Sequence, residues 1–201
     1  AECLVGSEMC IRDSHRSECN FEMVDFGVSE VAGVLRSLKS SAGSGPDGVP
    51  SLFLNRCAAS VAYPLWLIFR KSLQSMSVPV SWKQANVLPI FKGGSHSDPL
   101  NYRPVSLTSV CSKTMEKIVV QQLYDYLDAN SLLSDFQFSF RSGKSVDEQL
   151  LMCYNYVTEH FDVEDSVDVI FFDYRKAFDV VDHRLLLIKL TQLGIGDPVL
   201  G

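Results

Sequence analysis

The sequence predicts an α+β fold. Three observations carry this: apolar residues recurring at helical spacing in several stretches, two separate strand-like runs at 85–92 and 168–172, and turn-rich segments between them. From Ser29, apolar side chains recur at Val28, Val31, Val34 or Leu35 and Leu38, which predicts a short amphipathic helix with Ser29 as its cap. "SSAGSGPDGVP" (40–50) gathers glycine, proline and aspartate, and Gly45-Pro46-Asp47-Gly48 suits a type I turn. Two helical stretches follow, with a break predicted near Tyr63-Pro64 and with Leu65, Phe69, Leu73 and Met76 along one side of the second.

"ANVLPIFK" (85–92) reads as a strand and "GGSHSDPLNYRP" (93–104) as a loop that returns the chain, so a hairpin-like excursion is expected here. Helical spacing resumes at Leu107, Val110, Cys111, Met115, Ile118, Val119, Leu123 and Leu127, and again at Val146, Leu150, Cys153, Tyr154, Val157 and Phe161. Between them Phe136, Phe138 and Phe140 alternate as in a half-buried strand. "DVIFF" (168–172) is β-branched and aromatic, the composition of a central strand. A last helix is predicted from Asp182 as N-cap to about Leu193, stopped by Gly194.

The chain has 201 residues, enough for one sizeable core or part of a larger one, and its 46% hydrophobic and 21% charged residues mark a folded chain. Its apolar runs are far shorter than the roughly 20 residues that span a bilayer, which argues against a membrane role. Six cysteines are scattered without C-x-x-C spacing, so they read as reduced, intracellular thiols used mostly as core filler. The net charge of −6 runs against a phosphate-gripping surface. Residues 1–14 show neither helical nor strand periodicity, and 1–27 read as a disordered or foreign edge. Within them Met9-Cys10-Ile11-Arg12-Asp13-Ser14 resembles the translation of a transposase-adapter sequence used in preparing sequencing libraries.

The chemistry points to one carboxylate. Asp173 follows a run that reads as a buried strand, the place where sheets present side chains to a ligand crevice. A magnesium ion, which takes oxygen ligands, would compensate its charge, while on spacing alone a cap for the following turn is the better reading.

Seven motifs in order change that balance: "GPDGVP" (45–50), "PIFKGG" (89–94), "NYRPVSL" (101–107), "EKIV" (116–119), "QFSFRSGKS" (137–145), "FFDYRKAFDVVDH" (171–183) and "KLTQLGI" (189–195). Over residues 28–201 the set resembles the reverse transcriptase of non-LTR retrotransposons, the LINE-type and jockey-like elements. The resemblance implies an N-terminal extension and helical fingers with a β excursion over 28–163, and the first strand and helix of a truncated polymerase palm over 164–201. It implies an RNA-directed DNA polymerase that uses two magnesium ions to join dNTPs to a DNA primer on an RNA template.

Carried residue by residue, it makes Asp173 the first catalytic carboxylate and a ligand of both ions, with the backbone carbonyl of Tyr174 a further ligand. Lys92 and Arg103 would hold the triphosphate, Phe178 would press on the sugar and exclude a 2′-hydroxyl, and Gln137 and Arg141 would line the template path. Asp179 reads as a structural cap for the last helix or for the turn before it, outside the catalytic set. Ser139 and Val146 stand where the family usually has glycine and threonine. The glycine-glutamine motif, the aspartate-pair turn and the thumb would lie beyond Gly201, so the fragment alone is expected to be inactive. Target-primed synthesis would require nuclear access, although the chain shows no basic import cluster. The alternative is a non-catalytic nucleic-acid-binding or scaffold protein derived from a decayed element.

Overall fold

A computed structural model describes residues 20–22, 25–41, 43–164, 166–174 and 177–200, without the side chains of 162–164. The adapter-like peptide at 9–14, Cys3, Cys10, Cys19 and the Arg175-Lys176 pair therefore lie outside the described residues. The elements, in chain order, are α1 (Val28–Arg36), α2 (Ser51–Arg56), α3 (Ala58–Gln74), β1 (Ala85–Phe91), β2 (Tyr102–Thr108), α4 (Val110–Ala129), α5 (Val146–Glu164) and α6 (His183–Gln192). They form a mixed helical body with a small two-stranded antiparallel sheet, an α+β arrangement.

The core lies where α1, α3 and the start of α4 meet. Val31 and Leu35 from α1, Ala62 and Phe69 from α3, and Val110, Met115 and Ile118 from α4 close on one another. Packing starts before the predicted first helix, because Phe26 joins this core and Phe21 is also buried. Gly27 rather than Ser29 occupies the cap of α1, and its N–H donates to the Glu30 carboxylate at 2.6 Å. At the other end Asn55 of α2 donates to the carbonyls of Arg36 (2.7 Å) and Leu38 (3.1 Å), which satisfies groups that the end of a helix leaves open.

The predicted break at Tyr63-Pro64 is absent. The chain breaks at Cys57 instead, and Pro64 lies inside α3. The helix tolerates the lost backbone bond because Ala58, Ala62, Leu65 and Phe69 bury one continuous stripe. Met76, placed on that stripe from sequence, falls past the helix end at φ 49° and is exposed.

Leu107 likewise belongs to β2, paired with Asn86, and not to the helix. The helix begins three residues later, where the Ser109 hydroxyl accepts from the Ser112 N–H. In the hairpin Pro89 pairs with Pro104. The Lys92 N–H donates to the Asn101 carbonyl (2.8 Å), so by alternation the proline pair occupies a non-hydrogen-bonded position and costs the ladder nothing.

Residues 168–172 are not a strand. Phe171 and Phe172 are 88% and 81% exposed, and among the described residues no backbone hydrogen bond reaches the segment. A β-run becomes a strand only beside another, and among the described residues none lies beside this one. The last helix forms as expected, with the Asp182 carboxylate accepting from the Leu185 N–H (3.1 Å) and Gly194 at φ 81° closing it. Asp182 is the cap of the helix, and Asp179 lies in the turn that precedes it. Beyond α6, Ile195 is buried, and the carbonyls of Leu193 and Gly194 accept from the Tyr126 hydroxyl and the Phe21 N–H, both at 2.8 Å.

Candidate nucleotide and template site

The hairpin gathers the two predicted cations. Ile90 pairs with Arg103, and the register continues to Lys92 opposite Asn101. Side chains alternate along a strand, so Lys92 and Arg103 stand on the same face as diagonal neighbours, their Cβ atoms roughly 7 Å apart. Both are exposed, and among the described residues neither forms an ion pair. The opposite face is apolar: Val87, Pro89, Tyr102 and Pro104, with His96, line an open hollow of about 580 Å³. At that end Phe91 and His96 stack at 3.9 Å, and the Tyr102 hydroxyl donates to the His96 carbonyl (3.0 Å). The aromatic cluster fixes the connection between the strands, which holds the cationic face in register.

The hairpin is tied to the helical body at its base. The Gly45-Pro46-Asp47-Gly48 turn forms as predicted, closed by the Gly48 N–H to the Gly45 carbonyl (3.0 Å). It lies against the junction of β2 and α4, where a Cβ on Gly45 would come within 2.6 Å of the backbone of Thr108 and Ser109. Only glycine fits there. Burial, with the nearby Asp47 carboxylate, raises the Cys111 thiol above its ordinary value of 9.0.

The segment between α4 and α5 is a series of turns, not the half-buried strand that its alternating phenylalanines suggest. Phe138 is buried, with the Lys144 ammonium 4.8 Å from its ring centre, while Phe136 and Phe140 are 79% and 73% exposed. Gln137 is exposed, and its amide donates to the Ser139 carbonyl (3.3 Å). Arg141 is more committed. Its guanidinium donates to the Ser134 carbonyl (2.8 Å), the Leu133 carbonyl (3.5 Å) and the Asp128 carboxylate (2.9 Å), and its side chain is only 12% exposed.

Ser139 does not take a positive φ; its neighbour Phe140 does, at 60°. The hydroxyl capping α5 comes from Ser145, which accepts from the Glu148 N–H (3.1 Å).

Asp173 and Tyr174 lie exposed at the end of the 166–174 segment, which has no regular secondary structure, and a turn at 177–180 carries Phe178. The rings of Phe178 and Phe140 meet edge to face, 6.1 Å between centres and 85° between planes. The structure thus brings together two sets of candidates, Lys92 with Arg103, and Phe178 with the loop that holds Arg141. The alternation of Phe136, Phe138 and Phe140 suggests a half-buried strand, and of the three only Phe138 is buried.

As for a metal, Asp173 and the Tyr174 carbonyl are oxygen donors of the right chemistry, but among the described residues no three His, Cys, Asp or Glu side chains assemble into a metal site. Asp173 and Tyr174 do not by themselves make a two-ion centre. Among the described residues no helix is long and apolar enough to cross a membrane.

Residues 90–200 match the family model described as reverse transcriptase (RNA-dependent DNA polymerase). The chain is 32% identical over 167 residues, 83% of its length, to the probable RNA-directed DNA polymerase from transposon BS of Drosophila melanogaster, of which it covers 18%. It is 29% identical over the same length and share to the RNA-directed DNA polymerase from mobile element jockey of Drosophila melanogaster, again 18% of that protein. A Pol polyprotein from type-1 retrotransposable element R2 of Popillia japonica is 26% identical over 120 residues, 60% of this chain and 16% of that protein. The chain therefore spans under a fifth of the length of these curated relatives. With its ordered motifs, its hairpin and this match over more than half its length, the chain belongs to the reverse transcriptase (RNA-dependent DNA polymerase) family, as a segment similar to the polymerases of jockey-like retrotransposons.

Proposed function

We propose that this chain is the fingers and the beginning of the palm of a retrotransposon RNA-directed DNA polymerase, and that the 85–108 hairpin receives the incoming dNTP. The observation that carries the reading is the placement of Lys92 and Arg103 on one exposed face without carboxylate partners among the described residues. Such a pair presents fixed positive charge to a polyphosphate, and arginine adds a planar fork for its oxygens.

Asp173 supplies one carboxylate and Tyr174 one carbonyl toward divalent ions, magnesium by preference. Further ligands are needed before those ions can act, so no chemical step is assigned to this chain alone. Phe178 faces the sugar. Gln137 contacts the RNA template directly, whereas Arg141 serves the template path through the loop it ties to α4. In the complete enzyme the DNA primer is extended in the nucleus, at the target.

Replacing the matching 167-residue stretch of the Drosophila melanogaster jockey polymerase with this chain's own, and measuring primer extension on an RNA template, tests the reading. Extension is expected with Asp173 and is expected to be lost in Asp173→Ala. Equal extension by both forms would overturn the assignment, and would leave a nucleic-acid-binding role as the better account.

A further inference from the structure

We propose that Phe140 is a positioning residue that sets the ring of Phe178, and through it the choice of deoxynucleotide; this rests on the reading of Phe178 as the ring beside the nucleotide sugar. The two residues are 38 positions apart in the chain, yet their rings meet edge to face at 6.1 Å. Each is more than 70% exposed. A contact between two rings outside the core adds little to the fold but restricts where each ring can point.

The backbone at Phe140 supports this. A bulky residue at φ 60° occupies a region that side chains rarely adopt, and such a conformation persists only where its surroundings enforce it. Here the enforcement is visible next door. Arg141 fastens the following residue to the carbonyls of Leu133 and Ser134 and to Asp128 of α4, and Lys144 donates to the Asp135 carbonyl (2.7 Å). The loop is thus anchored to a long helix, and its exposed tip bears the ring that meets Phe178. Glycine would relieve the backbone at 140 but would remove the ring. Retaining phenylalanine there accepts strain in exchange for that contact.

The test uses the whole chain with 4-fluorophenylalanine at position 178, read by ¹⁹F NMR, together with the relative affinities for dUTP and UTP, which differ only at the 2′ position. Phe140→Gly and Phe140→Ala are both expected to shift and sharpen the resonance, because the ring loses its neighbour, while Phe140→Tyr leaves it in place. The same two variants are expected to lose most of a roughly tenfold preference for dUTP, the size of effect a fitted contact in a pocket provides. Phe178→Ala should lose the preference without any change at Phe140.

An unmoved resonance in Phe140→Gly would overturn the contact, whatever the nucleotides do. A moved resonance with intact preference would overturn the positioning role. A wild-type chain whose preference equals that of Phe178→Ala would instead remove the reading of Phe178 itself, and this proposal with it. Agreement between the glycine and alanine variants separates loss of the ring from relief of the backbone.

Discussion

Gly45 shows how one absent side chain ties a loop to a helix. A methyl group there would be driven into the Thr108 and Ser109 backbone, which cannot move without displacing the end of β2 and the cap of α4. Gly45→Ala is therefore expected to lower stability by about 1–3 kcal/mol, the usual cost of overpacking, measured from the urea midpoint. Cys111 reports on the same contact. Its folded pKa is raised, so the unfolded chain gives up this proton first. The contribution of the protonated thiol to stability is fully present below about pH 9 and declines as pH rises through the folded value. The stability difference between wild type and Cys111→Val should be constant below pH 9 and should change only above it, against wild type. At pH 8, alkylation followed by mass spectrometry should find exposed Cys153 modified early and Cys111 last among the described cysteines.

At the scale of elements, the hairpin and the helices differ in how much the sequence revealed. The α1, α5 and α6 helices are legible because each carries its own periodicity and punctuation, as with Asp182 before and Gly194 after the last helix. The apolar stripe of α5, however, expected from its spacing to be a buried face, is exposed at Val146, Leu150, Cys153, Tyr154 and Phe161. Strand β2 was read as loop and helix because its order comes from pairing with β1, which periodicity in one segment does not record. The 168–172 run failed in the opposite sense: its composition suits a strand, but composition supplies no neighbour. Pro64 misled for a third reason, since burial along α3 outweighs the local penalty. The site residues came from the resemblance, and the structure added what motifs do not hold, namely that Lys92 and Arg103 share a face and that Arg141 is occupied by Asp128 and two carbonyls. Arg141→Ala should therefore cost roughly 1–3 kcal/mol through the lost charged hydrogen bonds. Hydrogen exchange should show faster opening at 133–141, with α1 and α3 unchanged.

At the scale of the molecule, a small helical core leaves several large apolar side chains exposed. Leu150, Leu151, Tyr154 and Phe161 of α5, with Ile170, Phe171 and Phe172, lie open to solvent. One carboxylate with one carbonyl does not hold two ions, so the chain by itself is expected to show no nucleotide incorporation above an Asp173→Ala background in a primer-extension assay. Recognition of the nucleotide, by contrast, is proposed to need only what the hairpin already carries. The most direct measurement is the affinity of the whole chain for dTTP, compared with the Lys92→Ala/Arg103→Ala double variant at matched ionic strength. The account predicts at least about a tenfold loss in the variant, the scale of one or two charge-assisted contacts. Equal affinity in the two proteins would contradict it.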